Sequence, residues 1–145
     1  MEGFAFFDQT IELSRRFRAL KLWLSLRYHG LEAFRAAIAE NLAQANLLAD
    51  LIDADPSLEL LAPVELSAVC FRFRNGVDDL DSLNQLNETI LRDVNSAGYV
   101  LLSNASVRGT VGLRACITNH RTTEQDIRRI VNEILSAADR LVAQP

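Results

Sequence analysis

Two stretches in the first part of the chain place apolar residues at the three- and four-residue steps of a helix. The first covers residues 14–29 and stops at Gly30, a residue type that often follows a helix end. The second begins at Leu31 and ends in the Asp-Ala-Asp-Pro stretch of residues 53–56. We predict two consecutive helices, of which the second is the longer.

Strand-like alternation of apolar and polar residues begins after Pro56. Leu58 and Leu60 alternate, and residues 68–74 alternate more clearly before a turn at Asn75-Gly76. The apolar face of the longer stretch is formed by Val69, Phe71 and Phe73, and the opposite face by Cys70, Arg72 and Arg74. We therefore predict two strands in this part of the chain.

The second half of the chain predicts one more helix followed by two strands. Asp81-Ser82 offers an N-cap for a helix that closes at Gly98. Residues 99–102 are expected to form a strand, and residues 111–118 a further strand in which every second residue is apolar. These two strands pair most simply through the connection formed by residues 104–109.

A final helix is predicted from Thr122, because Gln125 three residues later completes a capping-box pattern. The resulting order is helix, helix, strand, strand, helix, strand, strand, helix, which is not the alternation of a doubly wound parallel sheet. The pattern favours an α+β fold in which a small, mainly antiparallel sheet is covered by helices. We interpret residues 1–145 as a single domain, with an arm at 1–13 and the folded part at 14–145.

Composition narrows the partners and the compartment. The chain has 145 residues, 49% of them hydrophobic, and a net charge of −4 at pH 7, which argues against a nucleic-acid-binding surface. No apolar run reaches the roughly 20 residues of a membrane-spanning helix, and no secretory leader is recognised. We expect a cytoplasmic protein without membrane contact, in which Cys70 and Cys116 are reduced core thiols.

Few residues offer a template for catalysis by this chain alone. His29 and His120 lack neighbouring ligands at the spacing of a zinc site, and no phosphate-binding loop or nucleophilic serine motif occurs. We interpret both histidines as surface or cap residues. Among the 15 basic residues only Lys21 is a lysine.

Arg114 is the strongest candidate for a binding residue. It lies in the middle of a predicted strand, and its neighbours on the same face, Gly112 and Cys116, are small enough to leave room for a ligand. A guanidinium on a rigid strand suits a bidentate grip on a carboxylate. The alternative is that the stem of Arg114 covers the sheet while its head reaches water or a structural acid.

Two further groups of residues could contact another surface. Three arginines, Arg15, Arg16 and Arg18, are predicted near the start of the first helix, where positive charge is unfavourable. Either local acids compensate this charge or an anion on another domain or subunit does so. The arm carries Phe4, Phe6 and Phe7 without a clear period, which suits a segment that lies against another surface.

Several collinear motifs, spread from about residue 6 to residue 141, resemble the group II pyridoxal-phosphate-dependent amino-acid decarboxylases, which include the aromatic amino-acid and glutamate decarboxylases. The stretches that carry the resemblance are residues 15–23, 28–32, 66–73, 83–88, 112–119 and 121–124. The resemblance implies the small C-terminal domain of the aspartate-aminotransferase-like fold, in agreement with the α+β pattern.

The same resemblance implies roles and a deficit. Arg114 matches a strand arginine that can hold the substrate carboxylate in relatives, which are dimers that release carbon dioxide from an amino acid. Their Schiff-base lysine and their ring-binding aspartate and histidine belong to a large domain without counterpart in these residues, and Lys21 does not match that lysine. We expect pyridoxal 5'-phosphate in the parent enzyme, none bound to this chain alone, and no activity of the chain by itself.

Two alternatives remain open at this point. The chain could be a free-standing, non-enzymatic interaction module that uses the phenylalanine-rich arm. It could also be the small subunit of a split decarboxylase whose large, cofactor-binding domain comes from another chain. The identity of the amino-acid substrate does not follow from these residues.

Overall fold

A computed structural model describes residues 16–74 and 79–142. The chain divides into two compact units, Met1–Ala36 and Ala37–Pro145. The predicted arm, the predicted turn at Asn75-Gly76 and Arg15 lie outside the described residues.

The two N-terminal helices form where the apolar pattern predicts them. Helix α1 covers Arg18–His29 and helix α2 covers Leu31–Asp53. Between them Gly30 adopts a φ of 79°, and its N–H donates to the carbonyl of Leu26. This left-handed conformation favours glycine, which explains why the helical pattern breaks at this position.

Four strands form one antiparallel sheet, as predicted. Strands β1 (Leu58–Leu60) and β2 (Ala68–Phe73) come before the third helix, and β3 (Ser103–Val107) and β4 (Thr110–Cys116) follow it. Their spatial order is β1-β2-β4-β3, so β3 is an edge strand. Every neighbouring pair is antiparallel.

Helix α3 (Leu80–Ala97) and helix α4 (Glu124–Val142) complete the element order that the sequence predicts. The apolar face of the sheet packs against α2, α3 and α4 in the second unit. The largest fully buried side chains there are Phe71, Leu48, Ile52, Ile90, Leu113, Ile127 and Ile134. Burial of this apolar surface is the main force that holds the second unit together.

Both predicted helix caps are wrong by one or two residues. Asp79, rather than Asp81-Ser82, caps α3 by accepting a hydrogen bond from the N–H of Ser82 at 2.8 Å. At α4, the capping box is formed by Thr123 and Asp126, because the Asp126 carboxylate accepts from the N–H and the hydroxyl of Thr123. The predicted pair, Thr122 and Gln125, lies one residue too early.

The predicted strand at residues 99–102 is also wrong, since β3 begins at Ser103. Instead of pairing with a strand, Leu102 uses its N–H and carbonyl to bond the side-chain amide of Asn95, at 2.9 Å each. The hairpin connection is correspondingly shorter than predicted. It consists of Arg108 and Gly109, with φ values of 52° and 83°, as in a type I′ turn.

Both cysteines are free thiols, as predicted, but neither belongs to the core. Cys70 is half-buried and Cys116 is exposed, because both point away from the helices, on the face of the sheet opposite the core. No helix in residues 16–74 and 79–142 combines the length and the apolarity needed to cross a membrane.

Candidate functional site

Within the second unit, the sheet has one face that the described helices leave uncovered, and we call it the open face. Strand alternation puts every second side chain of β2, β4 and β3 on this face. Its members are Ala68, Cys70 and Arg72 on β2, Gly112, Arg114 and Cys116 on β4, and Ser103 and Ala105 on β3. The candidate site residue from the sequence, Arg114, therefore lies near the centre of the open face.

A serine on the neighbouring strand holds the side chain of Arg114. Ser103 is the residue opposite Arg114 in the ladder. Its hydroxyl accepts a hydrogen bond from Arg114 Nε at 3.0 Å and is placed to donate to the Arg114 carbonyl at 3.4 Å. Ser103 thus fixes one edge of the Arg114 guanidinium beside β3.

The terminal nitrogens of Arg114 remain available for a ligand. No hydrogen bond or ion pair joins them to any residue within 16–74 or 79–142, and the side chain is exposed. On the other side of Arg114, across the ladder, lies the half-buried Cys70. Four donor hydrogens on the two terminal nitrogens match the geometry of a carboxylate or another planar anion.

The space beside Arg114 differs from the prediction on one side. An added Cβ at Gly112 would clash with the side chain of Leu61 and would lie 2.7 Å from the carbonyl oxygen of Phe71. The glycine is therefore needed for the close approach of Leu61, and that side of Arg114 holds no room for a ligand. On the other side along the strand, Cys116 is exposed.

An ion cluster of two arginines and one glutamate borders the site. Glu59 bonds Arg72 through one carboxylate oxygen at 2.6 and 2.7 Å and Arg74 through the other at 3.0 Å. The side chain of Arg72 is only 14% exposed, and its buried Nη1 has no hydrogen-bond partner in the part of the chain that the structure describes. Since Glu59 is already shared by two cations, this cluster carries a net positive charge beside Arg114 and favours an anion on the open face.

The remaining predicted contact residues are only partly described. Phe4, Phe6, Phe7 and Arg15 lie outside the described residues. Arg16 is exposed and its carbonyl accepts from the N–H of Arg18 at 2.7 Å, while Arg18 is the first residue of α1. The first turn of α1 contains no acidic residue, and the compensation of the positive charge at this helix end, by local acids or by an anion on another domain or subunit, stays a prediction.

Metal binding finds no support in the part of the chain that the structure describes, which contains no cluster of three or more histidine, cysteine or acidic side chains suited to a metal ion. His120 is exposed. His29 makes edge-to-face ring contacts with Tyr28 and Phe34 at 4.7 and 6.3 Å. These contacts fit the interpretation of His29 as a residue at a helix end.

Comparison with known proteins gives these features a context. The family model of the pyridoxal-dependent decarboxylase conserved domain matches residues 4–74. An aromatic-L-amino-acid decarboxylase from Bacillus atrophaeus is 33% identical over 130 residues, which cover 89% of this chain and 27% of that protein.

Solved structures agree in sequence and fold. Catharanthus roseus tryptophan decarboxylase in complex with L-tryptophan is 32% identical, with a TM-score of 0.81, over 91% of this chain and 27% of that one. A structure of Oryza sativa TDC with PLP and tryptamine is 25% identical, with a TM-score of 0.85, over 92% of this chain and 29% of that one. These matches support the assignment of the chain as a domain of a group II pyridoxal-phosphate-dependent decarboxylase. The chain spans a little more than a quarter of the length of these family members.

The family implies pyridoxal phosphate, and the described residues do not fit its covalent attachment. Lys21, the only lysine, is exposed on α1, where no residue is buried. A Schiff-base lysine requires a site that holds and desolvates the cofactor around it. Lys21 therefore lacks the surroundings of a Schiff-base lysine.

The sequence predicts Arg114 as a candidate but not the residues that hold and surround it. Ser103 lies just beyond the predicted strand, which ends at residue 102. Counting back from the type I′ turn at Arg108 and Gly109 would have placed Ser103 opposite Arg114. Glu59 and Leu61 carry no comparable signal, since Glu59 depends on the pairing of β1 with β2 and Leu61 on its close approach to Gly112 of β4.

Proposed function

We propose that this chain is the C-terminal part of a pyridoxal-phosphate-dependent amino-acid decarboxylase, in which the open face forms one wall of the active site. The observation that carries the proposal is the hold of Ser103 on Arg114, which leaves the terminal nitrogens of Arg114 without a partner among the described residues. Arg114 binds the carboxylate of the amino-acid substrate and orients it. The cofactor, bound by the rest of the enzyme, acts as the electron sink when carbon dioxide leaves.

This role explains the charge of the open face. A substrate carboxylate meets Arg114 on a surface where Glu59 is already paired with Arg72 and Arg74, so no described acid competes for the guanidinium. All α-amino acids carry this carboxylate, and the contact therefore does not select among their side chains. Aromatic amino acids are the first substrates to test, because the similar proteins carry the names of aromatic amino-acid and tryptophan decarboxylases.

Helix α1 supplies contacts to the rest of the enzyme in this proposal. It exposes large apolar side chains that a free surface does not require, among them Leu22, Trp23 and Tyr28. Arg16 and Arg18, together with Arg15 and the phenylalanines at positions 4, 6 and 7, are proposed to contact the large cofactor-binding domain or a second subunit. We place the enzyme in the cytoplasm, as its composition predicts.

The proposal is tested in the assembled enzyme, these residues together with the cofactor-binding domain on the same or a separate chain. Arg114→Gln is expected to raise KM for the amino acid about tenfold to a hundredfold, since a hydrogen bond to a charged group contributes roughly 1.5–3 kcal/mol. Arg114→Lys retains the charge but lacks the paired nitrogens of the guanidinium, so its KM should lie between those of the unmodified enzyme and Arg114→Gln. Release of carbon dioxide from carboxyl-labelled substrate gives both kinetic constants.

Arg108→Gln is the matched control, because Arg108 is an exposed arginine in the turn of the same hairpin. An unchanged KM in Arg114→Gln would overturn the role of Arg114. A second experiment titrates the isolated chain with pyridoxal phosphate, followed by borohydride trapping and peptide mapping. A stoichiometric adduct on Lys21 would mean that this chain builds a cofactor site of its own, and the proposal would fail.

A further inference from the structure

Strand β3 lies at an edge of the sheet and presents unpaired backbone groups to its outer side. The type I′ turn makes Val107 and Thr110 a hydrogen-bonded pair, and such pairs alternate along an antiparallel ladder. The residues between them, Asn104 and Ser106, therefore direct their N–H and C=O groups away from β4. None of these four groups has a partner within the described residues.

Leu102, two residues before Asn104 in the same alternation, confirms that these backbone groups point outwards. Leu102 also directs its N–H and carbonyl outwards, and Asn95 of α3 bonds both of them at 2.9 Å. Asn95 thus closes the outer edge at Leu102, and the turn closes it after Val107. The open part of the edge is centred on Ala105. Asn104 on one side of it and Ser106 on the other each direct one N–H and one C=O outwards.

Edge strands in proteins are usually protected against pairing with another chain by charged residues, proline or a bulge. The five residues of β3, Ser-Asn-Ala-Ser-Val, include no charged residue and no proline. The register of β3 with β4 is continuous and contains no bulge. The edge is therefore suited to accept a further strand.

A groove accompanies this edge. It has a volume of about 640 Å³ and is lined on one side by Glu88, Arg92 and Ser96 of α3 and on the other by Ser103 and Asn104. Helix α3 packs mainly on β4 and contacts β3 less, so space remains beside the edge strand. A body that pairs with β3 would also fill this groove.

We propose that β3 pairs with β3 of a second copy of this chain, antiparallel and about a two-fold axis at Ala105. In this register Asn104 of each copy lies opposite Ser106 of the other, and the four outward groups of each strand meet four complementary ones. A two-fold axis requires a self-complementary surface, and the symmetric placement of Asn104 and Ser106 about Ala105 provides it. The two sheets join into one of eight strands.

The groove adds charge complementarity to this arrangement. Glu88 and Arg92 lie one helical turn apart on the wall of the groove, with opposite charges. The two-fold axis makes the α3 helices of the two copies antiparallel, which brings Arg92 of each towards Glu88 of the other. The contact is small, and we expect a reversible dimer that forms at high protein concentration. This proposal does not depend on the decarboxylase activity.

Cysteine cross-linking of the 145-residue chain tests the register. In a background of Cys70→Ala and Cys116→Ser, Ala105→Cys places two thiols opposite each other at a non-hydrogen-bonded pair, where the Cα atoms are about 4.5 Å apart and a disulfide fits. We expect a covalent dimer on mild oxidation. Val107→Cys is the matched control on the same face, because the two copies of residue 107 lie about 13 Å apart along the strands.

Sedimentation velocity up to about 1 mM chain, a range suited to a small interface, gives the second measurement. We expect the unmodified chain to dimerise and Ser106→Pro to remain monomeric, because proline removes an outward donor that β4 does not use. The far-ultraviolet spectrum of Ser106→Pro shows whether its sheet is retained. A monomer at every concentration, or equal cross-linking of Ala105→Cys and Val107→Cys, would overturn the proposal. A wild-type dimer in which Ala105→Cys does not cross-link would place the contact on another face and also reject it.

Discussion

Asn87 of α3 bonds both backbone groups of Phe73, the last residue of β2. Its side-chain oxygen accepts from the Phe73 N–H at 2.8 Å, and its side-chain nitrogen donates to the Phe73 carbonyl at 3.0 Å and to the Leu83 carbonyl at 2.9 Å. Asn87 is only 1% exposed. A helix side chain thus takes the place of a neighbouring strand for a residue at the end of β2.

Removal of this amide is expected to be costly, because two buried backbone groups would lose their partners. Asn87→Ala should lower the free energy of unfolding by about 2–6 kcal/mol, since each of the two unsatisfied buried groups costs roughly 1–3 kcal/mol. Urea denaturation followed by circular dichroism measures the change. Asn84 is the matched control: it bonds Val111 and Gly109 in the same way but is half-exposed, so water can replace it. An equal loss in Asn84→Ala would contradict the role of burial.

Gly112 provides a second prediction about the open face. Gly112→Ala should destabilise the fold by about 1–3 kcal/mol, the usual effect of overpacking, because the new methyl group meets Leu61 and the Phe71 carbonyl. In a Leu61→Ala background the same change should cost less, since the clash with the leucine side chain is removed while the Phe71 carbonyl stays in place. Thermal unfolding of the four proteins of this double-mutant cycle gives the coupling. A neutral Gly112→Ala would show that the contact with Leu61 relaxes freely.

Elements bounded by glycine or proline were predictable from the sequence. The bounds of α2 follow from Gly30 before it and Pro56 after it. Residues 99–102 misled the prediction because their apolar character resembles a strand, whereas Leu102 is buried by packing and its backbone is bonded by Asn95. The side-chain clamp that decides the structure of this segment leaves no periodic signal.

For the candidate site, the sequence predicts the position of each residue within its own strand but not its neighbours on other strands. The place of Arg114 in the middle of a strand follows from alternation, but its partner Ser103 depends on the register of the hairpin, and therefore on the length of the turn. The local sequence predicts room for a ligand at Gly112, because nothing nearby in the chain indicates that Leu61, some fifty residues earlier, fills the space. Contacts between distant segments are the part of a site that local patterns do not carry.

The capping residue of α4 predicts a pH dependence. Hydrogen bonds from the hydroxyl and the N–H of Thr123 lower the pKa of Asp126 below 3.8, and the charge of Arg129 adds to this. A lowered pKa in the folded state means that the stabilisation is fully present above the unfolded value and is lost as the pH falls through the folded value. Asp126→Asn should therefore reduce the change in unfolding free energy below about pH 4.

The pH dependence is measured by urea denaturation between neutral pH and pH 2. Asp139→Asn is the control, an exposed carboxylate later on the same helix that bonds no backbone N–H among the described residues. Asp79, whose pKa is lowered by Ser82, should behave like Asp126. If Asp126→Asn and Asp139→Asn give the same pH profile, the capping box does not stabilise the helix in solution.

The hydroxyl of Ser103 leads to the last prediction, which rests on the proposed function. If Ser103 positions Arg114 for the substrate carboxylate, Ser103→Ala in the assembled enzyme should raise KM about fivefold and change kcat less, since an uncharged hydrogen bond contributes about 1 kcal/mol. Ser103→Thr keeps the hydroxyl and should restore KM. Ser106→Ala, an exposed serine on the other face of the same strand, is the control.

The two roles separate in the outcome. An increase of KM in Arg114→Gln without one in Ser103→Ala would mean that the guanidinium binds the substrate but needs no hold from Ser103. A loss of kcat alone in Ser103→Ala, not rescued by threonine, would indicate damage to the hairpin rather than positioning. Only a change in KM that follows the presence of the hydroxyl supports the assignment of Ser103 as the residue that aims Arg114 at the carboxylate.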